Sequence, residues 1–199
     1  IMRGTERRLA IIKQIQEHGH AEVNELAEKY QVSSMTIRRD LAKLEEEGLV
    51  IQEYGGAVLN SGSLFEYTMT MKQCEYQTEK ERIAKACLPY INEGDTIFLD
   101  AGTTVCELAK LIAPLKNITV LTNSLLAANT LSGSDLEIIM CPGQFRQKSM
   151  AYLGSLTENF LSAFQIDKLF LGTEGVQLSS GISVPDITDG LTKRCLIEH

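Results

Sequence analysis

The sequence has no apolar run long enough to cross a bilayer. Its longest, such as Thr96-Ile97-Phe98-Leu99 and Leu136-Glu137-Ile138-Ile139-Met140, are strand-sized, whereas a spanning helix needs about 20 apolar residues. A membrane role is therefore not expected. Residues Ile1-Met2-Arg3-Gly4-Thr5-Glu6-Arg7-Arg8 hold no apolar stretch followed by a cleavage site, so no secretory signal is read there and a cytoplasmic location is expected. Five cysteines stand far apart at 74, 87, 106, 141 and 195 with no C-x-x-C among them. That spacing supports neither a zinc ribbon nor a thioredoxin-type site, and they read as small buried thiols of a reducing compartment. There is no G-x-G-x-x-G and no G-x-x-x-x-G-K-[ST], so dinucleotide and nucleoside triphosphate chemistry lack support. There is no H-E-x-x-H, and His18-Gly19-His20 stands at a helix end with no cysteine nearby, which reads as a turn rather than a metal site. No cofactor is expected.

What is present is an ordinary globular composition. The chain has 199 residues, 44% hydrophobic and 23% charged, enough for one large domain or two modest ones and too apolar for a wholly disordered chain. A net charge of −7 argues at first against nucleic acid. Its distribution weakens that objection: residues 1–60 hold 8 basic and 10 acidic side chains, residues 61–199 hold 11 and 16. Acidic groups remote from a DNA face are screened beyond ~8–10 Å, so one basic face matters more than the total.

The two halves differ in periodicity. Leu9, Ile12 and Ile15 with Ala10 and Ile11 form one helical stripe, and Val23, Leu26, Ala27 and Tyr30 a shorter one. A third helix, capped by Ser33 or Ser34, repeats Ile37, Leu41 and Leu44 and stops at Gly48. Leu49 to Val58 reads as two short strands around Gly55-Gly56. Three helices and a hairpin make a winged helix-turn-helix domain over 1–58. Residues 59–75 are weakly patterned and read as a linker, with Tyr67, Met71 and Cys74 able to line one side of a short helix. Over 76–199, strand-like runs at 96–99, 118–121, 136–140 and 168–171 alternate with helical segments at about 78–91, 104–112, 124–131 and 155–163. That alternation predicts a mostly parallel α/β sandwich. The chain ends at Ile197-Glu198-His199 within a helix expected from near Asp189, so this α/β domain reads as C-terminally truncated, with a final strand missing.

The third helix has the features of a DNA-reading element. Ile37, Leu41 and Leu44 anchor it, Ser33, Ser34 and Thr36 place short hydrogen-bonding groups at its first turn, and Arg38, Arg39 and Lys43 put cations on its outer face. A solvated Arg-Arg pair facing Glu45 and Glu46 is the alternative, but the preceding short helix, the turn and the wing favour DNA. Arg3, Arg7, Arg8 and Lys13 give residues 1–14 a net charge of +3, a second contact to the phosphate backbone. Glu45-Glu46-Glu47 reads as a solvated face turned from DNA. One small module seldom supplies enough contacts for specific binding, so a homo-oligomer on double-stranded operator DNA is expected.

In the second half, Asp100-Ala101-Gly102-Thr103-Thr104 follows a strand and opens a helix. Gly102 permits close backbone approach, and Thr103, Thr104 and the helix N-terminus offer donors suited to an oxyanion. A tight turn with a Thr cap is the structural alternative. Polar loops also follow other strands at Thr122-Asn123-Ser124, Gly143-Gln144-Phe145-Arg146 and Gly172-Thr173-Glu174-Gly175, and ligands of open α/β sheets gather at such ends. Asp100 either accepts bonds from a ligand's hydroxyls or fixes the Gly102 loop through backbone amides. Asp186 and Asp189 offer the same acceptor chemistry, with a helix cap as the alternative for Asp189.

Together, Val32-Ser33 through Thr36-Ile37-Arg38-Arg39-Asp40-Leu41, Leu44-Glu45-x-x-Gly48, Gly55-Gly56-Ala57, Asp100-Ala101-Gly102-Thr103-Thr104, Thr122-Asn123-Ser124, Gly154, Gly172-Thr173-Glu174-Gly175, Gly181 and Lys193-Arg194 resemble a DeoR-family bacterial transcription regulator over nearly the whole chain. The resemblance implies an operator-binding domain joined to a sensor domain like that of sugar-phosphate isomerases. It also implies an effector that is a phosphorylated sugar, and Lys193 as a group able to neutralise its phosphate. The chain departs from the family at Pro142-Gly143-Gln144, where Pro-Gly-Gly is usual, and at Asp189-Gly190, where Glu-Ala is usual. The leading expectation is a repressor of a carbohydrate-metabolism operon. The alternative is a sugar-phosphate isomerase-like enzyme with Asp100, Glu174 or Asp189 as base, for which a winged helix has no purpose.

Overall fold

The computed structural model describes residues 2–60 and 69–198. The chain divides into two compact units, 1–74 and 75–199. Tyr67, assigned to the linker by sequence, lies outside the described residues.

In the first unit, α1 (Gly4–His18), α2 (Val23–Tyr30) and α3 (Ser34–Glu46) surround one apolar cluster, with β1 (His20–Glu22), β2 (Val50–Glu53) and β3 (Gly56–Leu59) forming a three-stranded antiparallel sheet of order β1-β3-β2. Gly19 closes α1 in the left-handed region at φ 82°. The cluster is built from the stripes read in sequence: Ile11, Ile12 and Ile15 of α1, Leu26 of α2, and Ile37, Leu41 and Leu44 of α3 are fully buried. The hairpin turns at Tyr54-Gly55, and Gly56 opens β3 opposite Glu22. A side chain at Gly56 would run into the Ala21 carbonyl, so glycine is what lets β1 pair with the wing. Strand β1 was not legible in sequence because three residues are too few to show an alternation. A short helix α4 (Met69–Cys74) ends the unit.

In the second unit, α5 (Gln77–Cys87) runs into a 3-10 turn at Leu88–Tyr90. Then β4 (Thr96–Leu99), α6 (Thr103–Ile112), β5 (Thr119–Thr122), α7 (Leu125–Leu131) and β6 (Glu137–Met140) alternate. A hairpin of β7 (Gln144–Arg146) and β8 (Ala151–Leu153) follows, then α8 (Ser155–Leu161) and β9 (Lys168–Phe170). A second hairpin, β10 (Gly175–Gln177) and β11 (Gly181–Ser183), leads to α9 (Ile187–Glu198). The main sheet is parallel with order β6-β5-β4-β9. Apolar clusters cover both its faces: Ile97 and Leu99 pack on one side, Phe98 and Leu121 on the other. Both hairpins, each a separate two-stranded sheet, fall where the sequence suggested polar loops, because three-residue strands show no readable alternation. Cys106 and Cys141 are buried free thiols, and burial pushes them up to about 11 and about 12. Among the described residues, no helix is long and apolar enough to cross a membrane.

Candidate functional site

Helix α3 begins as the sequence predicts. Ser33 Oγ accepts from the Thr36 backbone N–H at 3.2 Å and lies 2.9 Å from Thr36 Oγ1. Ser33 therefore caps the helix, with the Thr36 hydroxyl bonded to its own and Ser34 half-buried beside them. Arg38, Arg39 and Lys43 are exposed, and none makes a hydrogen bond or salt bridge among the described residues. Met35 is also exposed. Glu45 does not face the arginines. Its carboxylate accepts the Gln52 backbone N–H at 2.8 Å and the Gln52 side-chain amide at 2.7 Å. That ties the wing to α3 and holds the Glu45 carboxyl below its ordinary value. Tyr54 at the wing tip is fully exposed.

The expectation for Arg7 and Arg8 is corrected. Arg7 is buried, with Nε 2.6 Å from Asp40 Oδ2, while Arg8 Nη1 reaches Asp40 Oδ1 at 3.4 Å. Asp40 sits in the apolar stripe of α3, three residues after Ile37 and four before Leu44, so it needs a partner of opposite charge there. A carboxylate in that stripe, with arginines in α1, was the available sequence signal. Glu47 nearby is raised above its ordinary value by burial, with Arg8 and Lys43 opposing.

The second unit gathers its polar groups where β4 and β9 lie side by side. From β4 the chain winds outward through β5 to β6, then returns to β9 on the other flank. This is a topological switch point, where open α/β sheets leave a crevice at the carboxyl ends of their strands. Asp100, just past β4, is fully buried. Its Oδ1 accepts from Asn123 Nδ2 at 3.2 Å, and its Oδ2 accepts from Gly172 N–H at 3.0 Å and from Lys193 Nζ at 2.5 Å. Lys193, on α9, also lies 3.0 Å from Asp189 Oδ1. Burial pulls the Lys193 ammonium down, but Asp100 and Asp189 more than offset this and its net shift is upward. Burial pushes the Asp189 carboxyl up against the opposing pull of Lys193. Asn123 is fully buried, and its Oδ1 has no hydrogen-bond partner among the described residues. Turning the amide over would set that oxygen against the Asp100 carboxylate, so the vacant acceptor persists.

The remaining predicted residues divide. Thr122 Oγ1 donates to the Leu99 carbonyl at 2.6 Å and accepts Ser124 N–H at 3.0 Å, and Ser124 Oγ caps α7 by accepting Ala127 N–H at 3.2 Å. These hydroxyls join β5 to β4 and start α7. Helix α6, by contrast, opens at Gly102 without a side-chain cap. Thr103 is buried and Thr104 half-buried, and neither hydroxyl is hydrogen-bonded among the described residues. First-turn amides have no intrahelical acceptor. A Cβ on Gly172 would lie 2.9 Å from the Ala101 carbonyl oxygen, so only glycine lets the end of β9 close on the Asp100 loop. Glu174 is exposed, its backbone N–H donating to the Ser183 carbonyl at 3.2 Å. Arg146 pairs with Asp186 at 3.1 Å. A cavity of about 280 Å³ beside α9 is lined by Ile182, Ser183, Val184, Gly190 and Lys193. It shares only Lys193 with the switch-point residues.

Residues 7–63 match the DeoR-like helix-turn-helix domain, and residues 75–199 match the DeoR C terminal sensor domain. The chain belongs to the DeoR family. Its relatives include the glycerol-3-phosphate regulon repressor of Escherichia coli (strain K12), 35% identical over all of this chain and 79% of that protein. The putative aga operon transcriptional repressor of Escherichia coli O157:H7 is 32% identical over 98% of this chain and 73% of its own length. The lactose phosphotransferase system repressor of Staphylococcus epidermidis (strain ATCC 35984) is 34% identical over 95% and 76%. This DeoR-family chain is a DNA-binding transcription regulator rather than an enzyme.

Proposed function

We propose that the chain represses a carbohydrate-metabolism operon and is controlled by a phosphorylated sugar held at the switch point of its second unit. The names of its relatives, which repress glycerol-3-phosphate, aga and lactose phosphotransferase genes, support that reading. The observation it rests on most is the pairing of two unlike subsites at adjoining strand ends. At one, the uncapped start of α6 presents Gly102, Thr103 and Thr104 with unclaimed donors, the chemistry that suits a phosphate. At the other, Asp100, Asn123, Asp189 and Lys193 form a buried group with surplus acceptors, the chemistry that suits hydroxyls. Two carboxylates already balance Lys193. Its part is to hold them in place and donate to a sugar oxygen, while the phosphate relies on α6. Thr122, Ser124 and Gly172 shape the floor, and Glu174 stands at the rim.

On DNA, Arg38 and Arg39 read bases or phosphates from α3, Lys43 adds a phosphate contact, and Ser33, Ser34 and Thr36 approach the groove floor. A homo-oligomer in the cytoplasm places two such helices on paired half-sites. The test is a thermal-shift series of free sugars, their phosphate esters and inorganic phosphate at matched ionic strength. A ligand at 100 times its dissociation constant stabilises by about 2.7 kcal/mol. The proposal expects a shift with one ester and none with its free sugar. Equal shifts with ester and free sugar, or none with any ester, would refute phosphate-dependent sensing.

A further inference from the structure

Helix α3 meets its domain through a stripe that is apolar except at one place. Ile37, Leu41 and Leu44 are fully buried, and Asp40 among them is only 4% exposed. Apolar contacts are non-directional, so three of them tolerate a small roll or slide of the helix. The bond from Arg7 Nε to Asp40, at 2.6 Å, does not. Arg7 is itself fixed, since its Nη1 donates to the Met2 carbonyl at 3.4 Å while Nε points into the domain. Arg8 adds a longer bond to the other carboxylate oxygen, and its Nη2 donates to Thr5 Oγ1 at 3.3 Å. Asp40 is thereby clamped to the first turns of α1 from two sides.

The position of Asp40 gives the clamp a consequence for DNA. Successive helical residues are about 100° apart. Holding Asp40 inward therefore sends Arg38, two residues earlier, to nearly the opposite side, and sets Arg39 on the flank. We infer that Asp40 is a positioning residue for DNA reading: with Arg7 it fixes the roll of α3, and so where Arg38 and Arg39 meet the groove. Buried polar pairs are often worth little in stability against an apolar replacement and serve instead to select one arrangement. The inference rests on α3 being the reading helix.

The experiment compares the intact chain with Arg7→Met/Asp40→Leu, a double variant of unchanged net charge. The probes are a 30-base-pair duplex selected from random DNA by the wild-type protein and a scrambled duplex of the same composition. The double variant is expected to melt cooperatively, with Arg8 keeping its bond to Thr5. Its affinity for the scrambled duplex and the salt dependence of that binding should stay unchanged, while preference for the selected duplex falls at least tenfold. A folded double variant that keeps its preference within twofold would overturn the inference. Should the double variant not fold, Asp40→Asn decides. Loss of a negative charge alone would tighten binding to both duplexes, whereas lost positioning weakens the selected one at least fivefold. Wild-type preference in Asp40→Asn would overturn the inference equally. Arg38→Ala separates this from the reading it rests on: if that variant also keeps its preference, α3 is not the reading helix.

Discussion

Each unit buries a cluster of charges, and the two are resolved differently. In the first, the carboxylate of Asp40 lies between two guanidinium groups with Glu47 beside Arg8, and among the described residues one donor, Arg8 Nε, and one acceptor, Glu47 Oε2, are buried without a partner. In the second, the ammonium of Lys193 lies between two carboxylates, and among the described residues the acceptor Asn123 Oδ1 is buried without a partner. The vacant acceptor of the second suits the hydroxyl donors of the proposed effector, whereas the first cluster is balanced and turned inward, leaving the phosphates of DNA to the exposed Arg38, Arg39 and Lys43 of α3. A buried ion cluster is a poor guide to stability. Its unfilled bonds tell more about what it can receive.

The strongest way to break the comparison is to remove the centre of one cluster. Lys193→Met leaves Asp100 and Asp189 facing each other in a buried site, and breaking such a group by removing one member costs about 3–5 kcal/mol. The expected result, read by calorimetry, is a marked fall in the melting temperature of residues 75–199, with DNA binding by the first unit kept. No change in melting would mean that the cluster is not buried in solution. Next in size, Arg38→Ala with Arg39→Ala should weaken binding to selected DNA at least a hundredfold with melting unchanged, measured by fluorescence anisotropy. Good base contacts are worth ~1–3 kcal/mol each, so retained binding would remove α3 from the interface.

The smallest effect concerns acid. Glu47 has its folded pKa raised by burial, so the folded first unit holds this proton more tightly than the unfolded chain does. Its contribution to stability is greatest below the unfolded value of about 4.3 and is lost as pH rises through the folded value. Denaturation of Glu47→Gln should lack that component of the slope. An identical slope in both proteins would show that Glu47 is as solvated as the sequence suggested.

The two units also differ in how much their sequences revealed. Helical stripes such as Ile37, Leu41 and Leu44, and strand runs such as 96–99, are periodic signals, and they located the three DNA-domain helices and the parallel sheet. The cap at Ser33 was legible as local chemistry, whereas Ser124 was read as a ligand-facing loop residue and its capping of α7 was not foreseen. Strand β1 and both sensor hairpins were not legible, because three residues set no period, and the partner of β1 lies some way off in β3. The site shows the same division. The Gly102–Thr104 corner was readable as a strand–loop–helix pattern, and Asp100 and Lys193 were each named. That they bond to one another across 93 residues is a product of topology, which brings α9 back over the end of β4. The burial of Arg7 was missed likewise: net charge along residues 1–14 says nothing about which cation turns inward.

The most direct test of the account is a calorimetric titration of the wild type, Thr103→Val/Thr104→Val and Asn123→Ala with the ester that shifts melting, with its free sugar and with an ester epimeric at one hydroxyl. The account predicts that the threonine variant loses at least tenfold for both esters and binds them no better than the free sugar. It predicts that Asn123→Ala keeps its preference for ester over free sugar but no longer separates the epimers. If both variants lose the same factor for every compound, the two ends of the ligand are not read by separate subsites, and the assignment of phosphate to α6 and hydroxyls to the Asp100 cluster is wrong.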